Sequence, residues 1–208
     1  MTTRFLIIRH GETEWNALGR EMGQLDSPLT ARGVEQAERV ARALVAHRPS
    51  TVYSSDLGRA HHTARIIGAA LGLTPRLDTR LHERHMGIFQ GLTSGESEIR
   101  HPVERAAYRA DQHYLIPGGE SGAQRAERAF ACLEELAARH PDETIALVTH
   151  GGLLMGILER TLDLPPGAGR RFHKPNAAIN VFTRGPAGWT LESWGDITHL
   201  NAGPSAAP

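Results

Sequence analysis

Two short apolar runs constrain this chain more than any other feature. Phe5-Leu6-Ile7-Ile8 leads into Arg9-His10-Gly11, and Ile145-Ala146-Leu147-Val148 leads through Thr149 into His150-Gly151-Gly152. A continuous apolar run of this length is too short for a buried helix or a membrane span and reads as a strand covered on both faces, as in parallel sheets. Thr51-Val52-Tyr53 reads as a third strand. Helical patterns lie between them. Thr30 is a suitable N-cap for a helix that buries Val34, Ala37, Ala41, Leu44 and Val45 and stops near His47-Arg48-Pro49. Ser54-Ser55-Asp56 reads as a cap cluster before a second helix with the stripe Ala60, Ala64, Ile67 and Leu71. Ser121 and Gln124 form a capping box before a third, striped by Ala126, Phe130, Leu133 and Ala137. An apolar helix runs from Gly151 through Leu162, and Gly185-Pro186-Ala187-Gly188 turns a hairpin between Ala178–Thr183 and Trp189–Trp194. The alternation predicts an α/β layer fold.

Length and charge bound the rest. The 208 residues suit one domain, expected over 1–200, with 80–118 as a lid-like excursion and 201–208 as a flexible tail. The excursion holds four His and several Gly and Pro, with only a weak helical pattern over Pro102–Ala110. The 23 Lys and Arg balance the 23 Asp and Glu, which argues against a broad grip on nucleic acid or anionic lipid. All the basic residues but Lys174 are Arg, an imbalance that coding bias in an Ala-rich chain explains. The one cysteine, Cys132, reads as core packing and suits a reducing compartment, so a cytoplasmic location is expected. No secretory or membrane-spanning segment is expected. His61-His62 diverge on a helix, and His82 with His85 lacks partners at zinc-ligand spacing, so no metal is expected. A homodimer is compatible with the sequence.

Ligands of open α/β sheets bind outside the carboxyl ends of the strands, which brings His10 and His150 to one edge. Arg59 falls in the first turn of the helix fed by the third strand, where the positive end of the helix dipole disfavours a cation unless an anion is near. Arg9 joins it, with Gly11 and Gly151 letting backbone approach a guest. Two imidazoles and two guanidiniums suit a phosphoryl group.

The segment Arg9-His10-Gly11-Glu12-Thr13-Glu14-Trp15-Asn16 resembles the signature of the histidine phosphatase superfamily, in its phosphoglycerate mutase-like branch. Further blocks are similar to that family in order: Ser27-Pro28-Leu29-Thr30, Ser54 to Ala60, Glu83 with Gly87 and Gly91, Pro117 to Ser121, and Thr149 to Gly152. The resemblance implies a three-layer sandwich around a mostly parallel sheet, and a phosphohistidine intermediate without metal or other cofactor. It makes His10 the nucleophile. Arg9, Arg59 and His150 would hold the phosphoryl oxygens, and Asn16 would add a neutral donor. Glu83 would be the acid and then the base, a role that asks for a pKa raised by burial. Glu96, Glu98 and Glu120 compete for that role, and a surface ion pair with Arg80 or Arg84 is the rival reading of Glu83.

The same residues serve a phosphatase or a mutase, because phosphohistidine can yield its phosphoryl group to water or to a sugar-acid hydroxyl. Glu83 to Gly91 resembles the mutase form of this block except at Met86, usually Tyr. The paired arginines of mutases have only spaced approximations in Arg105 and Arg109, and Met22 stands where the family usually has Thr or Gln. A thioether cannot donate a hydrogen bond there. The leading expectation is therefore a metal-independent phosphomonoesterase acting on a small phosphorylated metabolite. The alternative is a 2,3-bisphosphoglycerate-dependent phosphoglycerate mutase, and a non-catalytic phosphate-binding module ranks third.

Overall fold

A computed structural model describes residues 1–165 and 168–201, so the tail expected over 201–208 lies outside the described residues from 202 onward. In chain order the elements are β1 (Thr3–Arg9), α1 (Glu14–Ala17), α2 (Ala31–Val45), β2 (Thr51–Ser54), α3 (Gly58–Leu71), β3 (Arg76–Leu77), α4 (Ser94–Arg100), α5 (Pro102–Ala110), α6 (Gly122–Arg139), β4 (Thr144–Thr149), α7 (Gly151–Thr161), β5 (Ile179–Gly185), β6 (Gly188–Asp196) and α8 (Thr198–Asn201). One six-stranded sheet runs in the order β3-β2-β4-β1-β5-β6. Its first four strands are parallel; β5 is antiparallel to β1 and pairs with β6 as the hairpin at one edge.

Alternate residues of the central strands feed two cores. Phe5, Ile7, Tyr53, Ile145 and Leu147 point to one face, where Phe130, Leu133 and Leu136 of α6 and Leu153 and Ile157 of α7 cover them. Leu6, Ile8, Val52, Ala146 and Val148 point to the other, against Val40, Ala41 and Leu44 of α2 and Ala60, Ala64 and Ile67 of α3. This is the expected three-layer sandwich. Full burial of an Ile, Leu or Phe gains about 1.5–3 kcal/mol, against about 1–2 kcal/mol for fixing one residue's backbone. A strand buried on both faces collects that gain at every position, which is why the runs are continuous rather than alternating.

Four local expectations need correction, the first being Val45, expected on the buried stripe of α2 but exposed. Ser54-Ser55-Asp56 does not cap α3: Ser54 closes β2, and the cap position is Leu57, which has no side-chain cap bond. Asp26 caps the helix from the distant loop, its Oδ1 accepting from the Arg59 N–H at 3.2 Å. Gly58 makes room for it, since a Cβ there would lie 2.1 Å from Asp26 Oδ2. On α6 the buried stripe is rotated to include Arg125, Ala129, Cys132 and Leu136, leaving Ala126 and Ala137 half-buried. The excursion is also more ordered than its composition suggested. Besides α5 it contains α4, started by a reciprocal capping box in which Thr93 Oγ1 accepts from the Glu96 N–H and Glu96 Oε2 from the Thr93 N–H.

Candidate active site

The three strands expected to converge are neighbours, and their ends are level: Arg9 pairs with Thr149, and Ser54 with Val148. His10 and His150, each one residue beyond its strand, therefore meet with ring centroids 5.2 Å apart. Both are buried. His10 Nδ1 lies 2.8 Å from the Gly11 carbonyl, which can only accept, so the ring proton sits on Nδ1 and Nε2 is bare. The Arg59 Nε–H points at that Nε2 from 3.2 Å. Burial above all, then the cations of Arg9 and Arg59, hold the His10 pKa well below 6.5, with the Gly11 bond opposing. His150 is held low for the same leading reason, with Arg59 and the neighbouring His10 next.

Arg59 is the largest fully buried side chain among the described residues. It donates through Nη1 to the Leu25 carbonyl at 2.8 Å and Asp26 Oδ1 at 3.0 Å, and through Nη2 to the Gly23 carbonyl at 2.8 Å. The anion that its place in the helix demanded is thus Asp26, and the same guanidinium ties the loop to His10. Arg9 donates from Nη1 to the Lys174 carbonyl at 2.5 Å. Its Nε is buried beside Gly151 with no partner among the described residues, an orphan donor that an oxyanion would satisfy.

Glu83 Oε2 accepts from the Gly152 N–H at the start of α7 at 2.8 Å, and Oε1 from the Arg84 N–H at 2.7 Å. Its rivals are engaged elsewhere: Glu96 with Arg20 and the α4 cap, Glu98 with Arg109 and Ser94, Glu120 with Arg128. The alternative ion pair is not made either. Arg80 pairs with Asp78 and Glu135, while Arg84 donates to the carbonyls of Gln112, Tyr114 and Glu120.

A cavity of about 270 Å³ opens over these groups, lined by Arg9, His10, Asn16, Arg59, Glu83 and Gly151 from the sequence reading. Asn16 Oδ1 accepts from the Thr13 N–H and from Asn176 Nδ2, leaving its own amide without a partner among the described residues. His150 is fully buried and is not in the lining, and neither is Gly11. The Gly11 N–H donates to Thr63 Oγ1, and a Cβ there would lie 2.3 Å from the Gly33 carbonyl oxygen, so this glycine lets β1 pack on α2 rather than admitting a ligand. Sequence reading missed Arg20, Glu21, Arg84, Tyr108, Gln112, Arg125, Met155 and Lys174, all in the wall. Arg125 had a signal: it falls on the apolar stripe of α6, where an arginine needs a buried partner, here Glu159 at 3.0 Å. Six wall residues are cations and two are carboxylates, Glu21 and Glu83. Met22, Met86 and Met155 line it too, and Met22 Sδ accepts from Thr13 Oγ1 at 3.4 Å.

Residues 5–197 match the family model of the histidine phosphatase superfamily, branch 1, and the chain belongs to that superfamily. It is 39% identical over 204 residues to a metal-independent phosphoserine phosphatase of Arabidopsis thaliana, covering 96% of this chain and 84% of that protein. It is 36% identical over 206 residues, covering 94% of each chain, to a Salmonella paratyphi C protein named "Probable phosphoglycerate mutase GpmB". Among solved structures, a mycobacterial glucosyl-3-phosphoglycerate phosphatase complexed with VO3 superposes with a TM-score of 0.84 at 35% identity, over 92% of this chain and 98% of that one. The protein is thus an enzyme of a family containing phosphatases and mutase-like members. No helix among the described residues is long and apolar enough to cross a membrane.

Proposed function

We propose that this enzyme hydrolyses a small phosphorylated metabolite in two steps through a phosphohistidine on Nε2 of His10. The observation that carries the reading is a buried imidazole whose Nδ1 lies 2.8 Å from the Gly11 carbonyl, which calls for the ring proton there and leaves Nε2 an acceptor, here of the Arg59 Nε–H. In the first step the Nε2 lone pair attacks phosphorus and the ester P–O bond breaks, while Glu83, carrying a proton, delivers it to the departing oxygen. In the second, water attacks phosphorus, Glu83 takes its proton, and the N–P bond breaks to release inorganic phosphate and neutral His10. Such acid–base help is worth about 10² to 10⁴ in rate. The unpaired Nε of Arg9, with Arg59 and His150, suits the phosphoryl oxygens, where one aimed donor typically contributes about 2.7–4 kcal/mol.

A single buried thiol, Cys132, agrees with a reducing, cytoplasmic setting. The test is hydrolysis of p-nitrophenyl phosphate in excess chelator. The parent enzyme turns over and the His10→Ala variant does not. Robust turnover by that variant, or an absolute need for added metal, would overturn the proposal.

A further inference from the structure

Ser55, the first residue beyond β2, touches His150 and nothing in the cavity. Its backbone N–H donates to the Val148 carbonyl at 3.0 Å, which fixes the residue on β4. Its Oγ lies 2.9 Å from His150 Nε2 and accepts from the Leu57 N–H at 3.3 Å. Both side chains are fully buried, and His150 Nδ1 has no partner among the described residues.

We infer that Ser55 is a positioning residue for the phosphoryl transfer proposed above: its hydroxyl donates to His150 Nε2 and so forces the ring proton onto Nδ1, the nitrogen left for a phosphoryl oxygen. The argument is an accounting of protons. The Leu57 N–H can only donate, so it takes a lone pair of Oγ and leaves the hydroxyl proton to find an acceptor. The imidazole nitrogen is the acceptor within reach. His150 is neutral, its pKa depressed chiefly by burial, so the ring has one proton to place. With Nε2 accepting, that proton sits on Nδ1 as a donor, which is what an incoming oxyanion needs.

The other tautomer is worse twice over. A proton on Nε2 would leave the serine hydroxyl hydrogen buried without an acceptor, and it would turn a lone pair of Nδ1 toward the anion. The two histidines are therefore wired in opposite senses by their neighbours. Gly11 withdraws the proton of His10 from the cavity, so that Nε2 offers a lone pair to phosphorus. Ser55 fills Nε2 of His150, so that Nδ1 offers an N–H to oxygen.

The proposal rests on the phosphohistidine reading but fails separately from it. Long-range proton–nitrogen NMR on the whole enzyme reads the tautomer directly: a pyrrole-type Nδ1 and a pyridine-type Nε2 are expected for His150. A pyrrole-type Nε2 in the parent enzyme would overturn the role of Ser55 whatever His10 does. Ser55→Ala should lower kcat for p-nitrophenyl phosphate and weaken inhibition by orthovanadate, each about tenfold, the scale of one hydrogen bond to a charged acceptor. It should also shift the His150 nitrogen resonances, and Ser55→Thr, which keeps a hydroxyl, should restore most of both. Unchanged kcat and unchanged nitrogen shifts in Ser55→Ala, beside a His150→Gln variant that is inactive, would likewise overturn it. If His10→Ala remains active, it is the phosphohistidine reading that falls.

Discussion

Substituting Gly152 by alanine should disable the site while leaving the fold in place. Glu83 is seated against the first turn of α7, and a Cβ on Gly152 would lie 2.2 Å from its Oε1 and 2.9 Å from its carboxyl carbon. Opening the first contact to between 3.0 and 3.4 Å moves that oxygen by about 0.8–1.2 Å. The obstruction is the far end of a flexible side chain, so the carboxylate yields rather than the helix. Gly152 does not have a positive φ, and alanine is favoured over glycine in helices by up to about 1 kcal/mol. Against this stands the weakened hydrogen bond from the Gly152 N–H to Glu83, worth about 1.5–3 kcal/mol. The two terms partly cancel, so net destabilisation should stay within about 2 kcal/mol. The rate should not be spared, because misplacing a reacting group by about 1 Å can cost about 10²-fold. Steady-state hydrolysis of an alkyl and an aryl phosphate is the assay. The alkyl ester, whose leaving oxygen needs the proton more, should lose about 10² in kcat/KM and the aryl ester less. A variant that hydrolyses the alkyl ester within about threefold of the parent would refute the placement of the acid at Glu83.

Stability should fall as the pH drops below about 6.5, before ordinary carboxylates titrate. His10 and His150 have folded pKa values well below 6.5, so between those values and 6.5 the unfolded chain binds protons that the folded chain refuses. Each contributes a slope of up to about 1.4 kcal/mol per pH unit, with no contribution above 6.5. Thermal melts of His150→Gln from pH 7.5 to 5 should therefore decline less steeply than the parent's, and parallel curves would contradict this. Separately, Glu159→Ala strands the buried Arg125 guanidinium and should cost about 3–5 kcal/mol in urea unfolding, much of it recovered by Arg125→Met together with Glu159→Leu. A single-variant loss under about 1 kcal/mol would show that water already solvates the pair.

Legibility followed burial. Strands β1, β2 and β4 and helices α2, α3, α6 and α7 are readable because their apolar residues recur with the period of their structure, and the two His-Gly strand ends point to the edge of the sheet where the cavity opens. Helix α4 escaped because its one buried residue is Ser97, so no stripe marks it and only the Thr93/Glu96 box does. Strand β3 has two exposed residues and no pattern at all. The walls of the cavity were the least legible part. Lys174, Arg84 and Arg125 come from three separate segments, and it is the chain's path over the sheet, not any local spacing, that brings them to His10. Gly11 and Gly151 stand in equivalent strand-end contexts, yet one packs against α2 and the other lines the cavity, a difference set by which helix crosses behind each strand.

Phosphate count, more than total charge, separates hydrolysis from mutase chemistry in this cavity. A mutase has to hold a bisphosphate, and its second phosphate adds roughly −1.5 to −2 charges that need donors of their own. The wall looks rich in cations, but several are committed. Arg20 donates to the Gly91 carbonyl and to Glu96, and Arg84 spends Nε and both terminal nitrogens on backbone carbonyls. Arg125 is paired with Glu159, and Arg105, one of the two approximations to the mutase pair, is itself outside the lining and is held by Glu21 of the wall and by Ser94. Arg109, the other, pairs with Glu98 away from the cavity. Recruiting Arg125 strands the buried Glu159 at about 1–3 kcal/mol, recruiting Arg84 frees three partly buried carbonyls, and the thioethers of Met22, Met86 and Met155 give a second phosphate nothing in exchange. Phosphate release from 3-phosphoglycerate should therefore outpace its conversion to 2-phosphoglycerate, with or without 2,3-bisphosphoglycerate as primer. Interconversion faster than release would mean that these arginines reorganise around the substrate, and the enzyme would then be a mutase.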